Sequence, residues 1–273
     1  MKFMLKFFCT VFFFTICCLP GLASAQSANK SADPKITKAE MQEAQDLAKN
    51  FTLRFIQTKD IKPLLDEFYF SDFIDRYKLW GSKEDNKSVN NIFVPGLSYH
   101  YRVISEGSSE DWRKFYIASH NFILLGFVAS LGNAKDNPSK EADFDLAKFY
   151  SPQVIALLDK NPNLANMIKN EGQQKTIDTA DEMRNVTATL EQALAIVREK
   201  HGSSPLLTIN DNELTKVFKK DYFKPHLQLA DDEEFGFPTN TRFLIIKTPI
   251  AMQLMLAKEK DKLKIVYATL SLD

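Results

Sequence analysis

The stretch that decides the fold is Ser108-Ser-Glu-Asp-Trp-Arg-Lys-Phe-Tyr-Ile-Ala-Ser-His-Asn-Phe-Ile-Leu-Leu-Gly-Phe-Val-Ala-Ser-Leu131. Ser108 or Ser109 stands where a helix N-cap belongs, and Glu110 and Asp111 lie in the first turn, where the helix dipole favours acid. Trp112, Phe115, Tyr116, Phe122, Ile123, Leu124, Leu125, Phe127, Val128 and Leu131 follow and cover more than one face. A helix apolar nearly all round is buried either in a large core or in a membrane. From Phe115 to Leu131 the stretch is at the lower limit for a membrane span, and Ser119-His120-Asn121 in its middle disfavours insertion. The reading is a central core helix, ended by Gly132-Asn133, with membrane association through 115–131 as an alternative.

Upstream, Thr37 and Glu40 form a capping box, and Ile36 and Met41 stand at staple positions. Ala44, Leu47, Ala48, Phe51 and Phe55 then recur at helical spacing, predicting a helix over 38–57. Asp60-Ile-Lys-Pro63 opens a second helix with apolar Leu64, Leu65 and Phe68. Ser71-Asp72 caps a third, running to Tyr77 or Trp80. Gly81 to Asn90 reads as a loop. Ile92 to Ile104 has no clear period, and Pro95-Gly96 marks a turn inside it.

Downstream, a polar linker over 133–143 leads to two short helices opened by Ser151-Pro152 and Asn161-Pro162. A long helix starts at Asp178 and presents Met183, Val186, Leu190, Leu194 and Val197 inward before Gly202 stops it. Asn210 with Glu213 suggests one more short helix to about Lys220. The last third changes character. Arg242–Thr248, Ala251–Ala257 and Leu263–Leu270 are rich in strand formers, with Glu259-Lys-Asp-Lys262 as a hairpin turn and Pro249 demanding a bulge or an edge. The expected fold is therefore α+β and predominantly helical. About six to eight helices are closed by a small C-terminal antiparallel sheet of two to three strands.

The opening helix, the segment TKDIKPLLDEF (Thr58 to Phe68) and the terminal hairpin resemble small cone-shaped α+β domains of the NTF2-like kind. That resemblance implies a curved sheet over helices. It brings no site residue with it, because residues 70–220 here read mainly as helix.

The chain has 273 residues, 44% hydrophobic and 26% charged, which is the composition of an ordinary globular protein. Its first 25 residues read as a cleaved secretory signal peptide. Lys2 and Lys6 precede the apolar run Phe7–Leu19, then Pro20-Gly21 and the small residues Ala23-Ser24-Ala25. Residues 26–35 read as a flexible mature terminus and 36–273 as one domain. The expected location is periplasmic or extracellular. All three cysteines lie before residue 19, so the expected mature chain has no disulfide, thiol nucleophile or thiolate zinc site.

With 35 basic and 35 acidic residues the chain lacks the basic excess of a nucleic-acid binder. Membrane association is not expected once the signal peptide is removed. No G-x-S-x-G, H-E-x-x-H, phosphate-binding loop, dinucleotide fingerprint or EF-hand loop is present. His100, His120, His201 and His226 are far apart and form no ligand pair. The acidic run Asp231-Asp-Glu-Glu234 lacks alternating ligand spacing and reads as a solvated loop, Glu141, Asp143 and Asp145 are read with the same caution, and neither a metal nor a cofactor is expected. The candidate ligand-binding residues are His120, Tyr116 and Asn121, because a polar group inside an apolar helix is either satisfied by partners or lines a cavity. No catalytic residue is assigned. The leading expectation is a non-enzymatic exported domain binding a protein partner or a small apolar ligand. The alternative is a cofactor-independent enzyme with a dispersed acid–base site around His120.

Overall fold

The computed structural model describes residues 35–82, 90–94, 97–103, 106–136, 150–162, 164, 175–201, 222–230, 236–248 and 252–270. The expected signal peptide over 1–25, the expected polar linker beyond residue 136, the expected helix near 210–220, Pro249 and the acidic run 231–234 lie outside them.

The decisive stretch forms α4, Ser109–Asp136. Ser108 caps it, its hydroxyl accepting from Asp111 N while the Asp111 carboxylate takes Ser108 N–H and O–H. The pair forms a capping box with Asp in the reciprocal position. Trp112, Phe115, Tyr116, Ala118, Ser119, His120, Asn121, Phe122, Leu124 and Leu125 are all buried. This is the core-helix expectation, and no helix among the described residues is long and apolar enough to cross a membrane. The helix passes through the expected stop at Gly132-Asn133 and continues to Asp136. A mid-helix glycine costs only about 1 kcal/mol and does not by itself end a helix.

Three helices precede it: α1 (Lys38–Thr58), α2 (Lys62–Phe68) and α3 (Phe73–Ser82). The α1 capping box forms as read, with Thr37 and Glu40 bonded reciprocally. Its C-cap Lys59 is left-handed at φ 53°. Next come β1 (Asn90–Val94) and β2 (Leu97–Val103), an antiparallel hairpin around 95–96. After α4 follow α5 (Pro152–Lys160), β3 (Lys175–Ile177) and α6 (Ala180–His201). Strand β3 pairs parallel with β2, giving a three-stranded sheet that sequence periodicity does not show. Helix α6 packs along α4 and buries the stripe Met183, Val186, Leu190, Leu194 and Val197. Its cap is Thr179, one residue later than expected.

The C-terminal sheet has four strands: β4 (His226–Leu229), β5 (Arg242–Lys247), β6 (Met252–Glu259) and β7 (Lys262–Leu270), in that spatial order and antiparallel throughout. This corrects the expectation of two to three strands. Strand β4 is four residues long, too short to register as a periodic run, and is held by pairing His226 to Ile245 through Leu229 to Arg242. The described residues contain six helices, within the expected number. The β6–β7 turn is Lys260-Asp261 with φ of 50° and 69°. Two positive φ values in a two-residue loop match strand twist. A bulge between Met255 and Leu256 shifts the register. Phe243, Leu244, Ile245 and Ile246 are all buried, so β5 is covered on both faces.

Carboxylates bind this sheet to the helices. Glu40 of α1 pairs with Arg242 of β5 at 3.3 Å and with Lys258 of β6 at 3.6 Å. Glu43 Oε1 accepts from Leu263 N at 2.8 Å. Glu259 accepts from Ser71 N and Oγ at 3.1 and 2.7 Å. The Thr37 backbone N–H holds the Glu40 carboxyl below its ordinary value, and the Ser71 hydroxyl does the same for Glu259. Depressed carboxylate values contribute stability above the unfolded-state value, and that contribution is lost as pH falls through the folded one. The melting temperature is therefore expected to fall as pH drops below about 4.5. In Glu40→Gln the melting temperature is expected to depend less on pH in this range, as measured by calorimetry from pH 6 to 3. An unchanged pH dependence would remove Glu40 from this role.

Candidate functional site

The three candidate residues sit on consecutive turns of α4, but the fold uses them differently. Asn121 is a clamp on the corner between α1 and α2. Its Oδ1 accepts Ile61 N at 2.7 Å, and its Nδ2 donates to Asp60 Oδ1 at 2.7 Å. The same Asp60 oxygen accepts Lys62 N at 3.0 Å, supplying α2 with the cap that Ile61 lacks. One amide and one carboxylate thus fix how the first helical pair meets α4.

Tyr116 stands at the centre of an aromatic cluster built by four elements. Tyr69 follows α2, Phe73 and Tyr77 come from α3, Trp112 and Tyr116 from α4, and Tyr267 from β7. Ring centroids lie 4.9 Å apart for Phe73–Tyr116 and 5.0 Å for Tyr77–Tyr116, both edge-on. The Tyr77 and Tyr267 rings stack at 6.5 Å. Such pairs add to the area they bury. The Tyr69 and Tyr116 hydroxyls are 3.1 Å apart. Burial raises the phenols of Tyr69, Tyr116 and Tyr267 far above their ordinary value, so none ionises near neutral pH.

The His120 ring stacks on Tyr116 with centroids 3.7 Å apart. Its Nδ1 lies 3.0 Å from the Tyr116 carbonyl and 3.4 Å from Ser119 Oγ. Ser119 itself donates to the Phe115 carbonyl at 2.8 Å. Burial pushes the imidazole down to about 4, with the carbonyl opposing. Among the described residues no carboxylate or phenol hydrogen-bonds to His120, the feature an acid–base site requires. His100 lies in β2, His201 at the end of α6 and His226 in β4. No three His, Cys, Asp or Glu among the described residues form a metal-holding group.

Sequence reasoning passed over Tyr69, Tyr77 and Tyr267. They belong to three separate elements, and each reads on its own as an ordinary apolar residue. It also passed over a surface cleft of about 770 Å³ lined by α1, the end of α2 and the start of β7. Gln42, Glu43, Asp46 and Asn50 form one wall, Lys262 and Lys264 face them, and Phe68 and Leu263 lie between. Lys264 Nζ donates to the Glu67 carbonyl at 2.5 Å.

The chain matches no protein-family model, no curated protein and no solved structure. The resemblance of Thr58–Phe68 and the terminal hairpin to NTF2-like domains therefore gains no solved counterpart.

Asn121→Ala leaves the Ile61 N–H buried without an acceptor and is expected to cost about 1–3 kcal/mol. Urea denaturation measures it. A loss under about 0.5 kcal/mol, the scatter of an unstructured surface change, would show that the clamp does not matter.

Proposed function

We propose that the protein is an exported, non-catalytic binding domain that recognises a protein partner through the cleft between α1 and the β6–β7 hairpin. The reading is supported by the contrast between the two regions just described. At the aromatic cluster His120, Tyr69 and Tyr116 are buried and uncharged. A proton cycle there would place charge in an aromatic surround that holds no counter-ion among the described residues. At the cleft, carboxylates and lysines face each other across an accessible surface. Walls of opposite sign suit a polypeptide segment carrying both charges. A small apolar ligand favours an enclosed and mostly apolar pocket instead.

The test uses residues 26–273 in a thermal-shift screen of divalent metals, metabolites and lipids, alongside arrayed peptides of mixed charge. A bound ligand raises the midpoint by mass action. The expected result is saturable peptide binding that falls about tenfold in the double variant Lys262→Glu, Lys264→Glu with the fold retained. Peptide binding unaffected by that double variant would move the contact surface elsewhere. A midpoint raised only by metals or metabolites would overturn the choice of partner. Substrate turnover abolished by His120→Ala would overturn the non-catalytic reading and restore the acid–base alternative.

A further inference from the structure

The hydrogen bonds of the aromatic cluster do not close on themselves. A carbonyl oxygen only accepts, so His120 Nδ1, 3.0 Å from the Tyr116 carbonyl, carries the proton. The neutral ring then presents Nε2 as a bare acceptor. Among the described residues no group donates to it, and His120 is 5% exposed. A second mismatch lies at the hydroxyl of Tyr116, the residue whose ring His120 stacks on. The Tyr69 and Tyr116 hydroxyls are 3.1 Å apart and share one hydrogen bond. Whichever phenol donates, the hydrogen of the other has no acceptor among the described residues. Both tyrosines are almost wholly buried. One acceptor and one donor thus remain over in a core whose polar groups are otherwise paired, as Ser119, Asn121 and the Tyr150 hydroxyl are. Groups left over in this way are rare in folded proteins, and each calls for a partner.

We propose that the Tyr69–Tyr116–His120 cluster is a binding site for one small uncharged hydroxylic molecule, water or a short alcohol-like group, which donates to His120 Nε2 and accepts from the phenol pair. The complement is uncharged because the imidazole and phenols are neutral and the surrounding rings Phe73, Tyr77 and Trp112 supply no counter-ion. It is small because these walls are buried side chains in mutual contact. A metal ion is a poor fit, since a lone imidazole among phenols offers it one good ligand. This inference does not depend on the partner cleft.

The experiment is a long-range proton–nitrogen correlation spectrum of residues 26–273 labelled with nitrogen-15 histidine. The His120 signal is assigned by its loss in His120→Gln, or by eliminating the other three histidines one at a time should that variant not fold. The expected result is a bare Nε2 whose resonance is shifted away from that of a free imine nitrogen, as an accepted hydrogen bond requires. The shift survives unfolding and refolding in clean buffer if the occupant is water, and disappears if it is a co-purified molecule. Either outcome supports the site. A free-imine resonance both before and after refolding would overturn it. So would a signal from a protonated Nε2.

Discussion

The structure depends on burying α4. A 28-residue helix is about 42 Å long, and it is lined with aromatic and aliphatic side chains on more than one face. In water such a helix must be surrounded. Helix α6 runs along it, α3 lays Phe73 and Tyr77 against Tyr116, and Tyr150 reaches across to donate to the Phe122 carbonyl at 2.7 Å. Its polar residues are tolerated because they are used. Ser119 bonds back to the preceding turn, and Asn121 locks the α1–α2 corner. The same logic appears beside α6, where Asn161 Nδ2 donates to Thr189 Oγ1 at 2.6 Å.

A second constraint follows from the sheet. Its last strand would otherwise expose a row of unpaired backbone groups, a known route to unwanted pairing. Here that edge is partly closed within the chain. Phe70 N donates to the Ile265 carbonyl at 3.1 Å, and Glu43 takes the Leu263 N–H. Helix α1 and the segment after α2 therefore act as covers for β7 as well as sources of apolar surface. The cleft lies where this cover is incomplete, and that is why its walls combine helix carboxylates with strand lysines.

Much of this was legible in the sequence wherever a signal is local. The Thr37/Glu40 box, a serine cap at 108 or 109, the α6 stripe from Met183 to Val197 and the hairpin turn around Lys260-Asp261 each follow from a few neighbouring residues, and the structure has them, with Ser108 as the cap. Non-local features were not legible. Strands β3 and β4 are three and four residues long and exist because a partner strand orders them. Gly132 was read as a stop, yet α4 continues past it to Asp136. At the candidate site, the oddity of Ser119-His120-Asn121 in an apolar helix was visible. What each residue meets was not, because Ile61, Asp60 and Tyr69 lie about 50 to 60 positions away. Histidine and tyrosine in an apolar run look alike whether they face a ligand or a core.

The central claim is that α4 is the buried axis of the fold and that its polar residues lie inside a closed core. Amide hydrogen exchange of residues 26–273 in detergent-free solution tests it most directly. The account predicts that amides from Phe115 to Leu125 exchange only through global unfolding, with the same free energy as the central strand β5. Exchange through local opening, well ahead of β5, would contradict it and place α4 at a mobile or membrane-seeking surface.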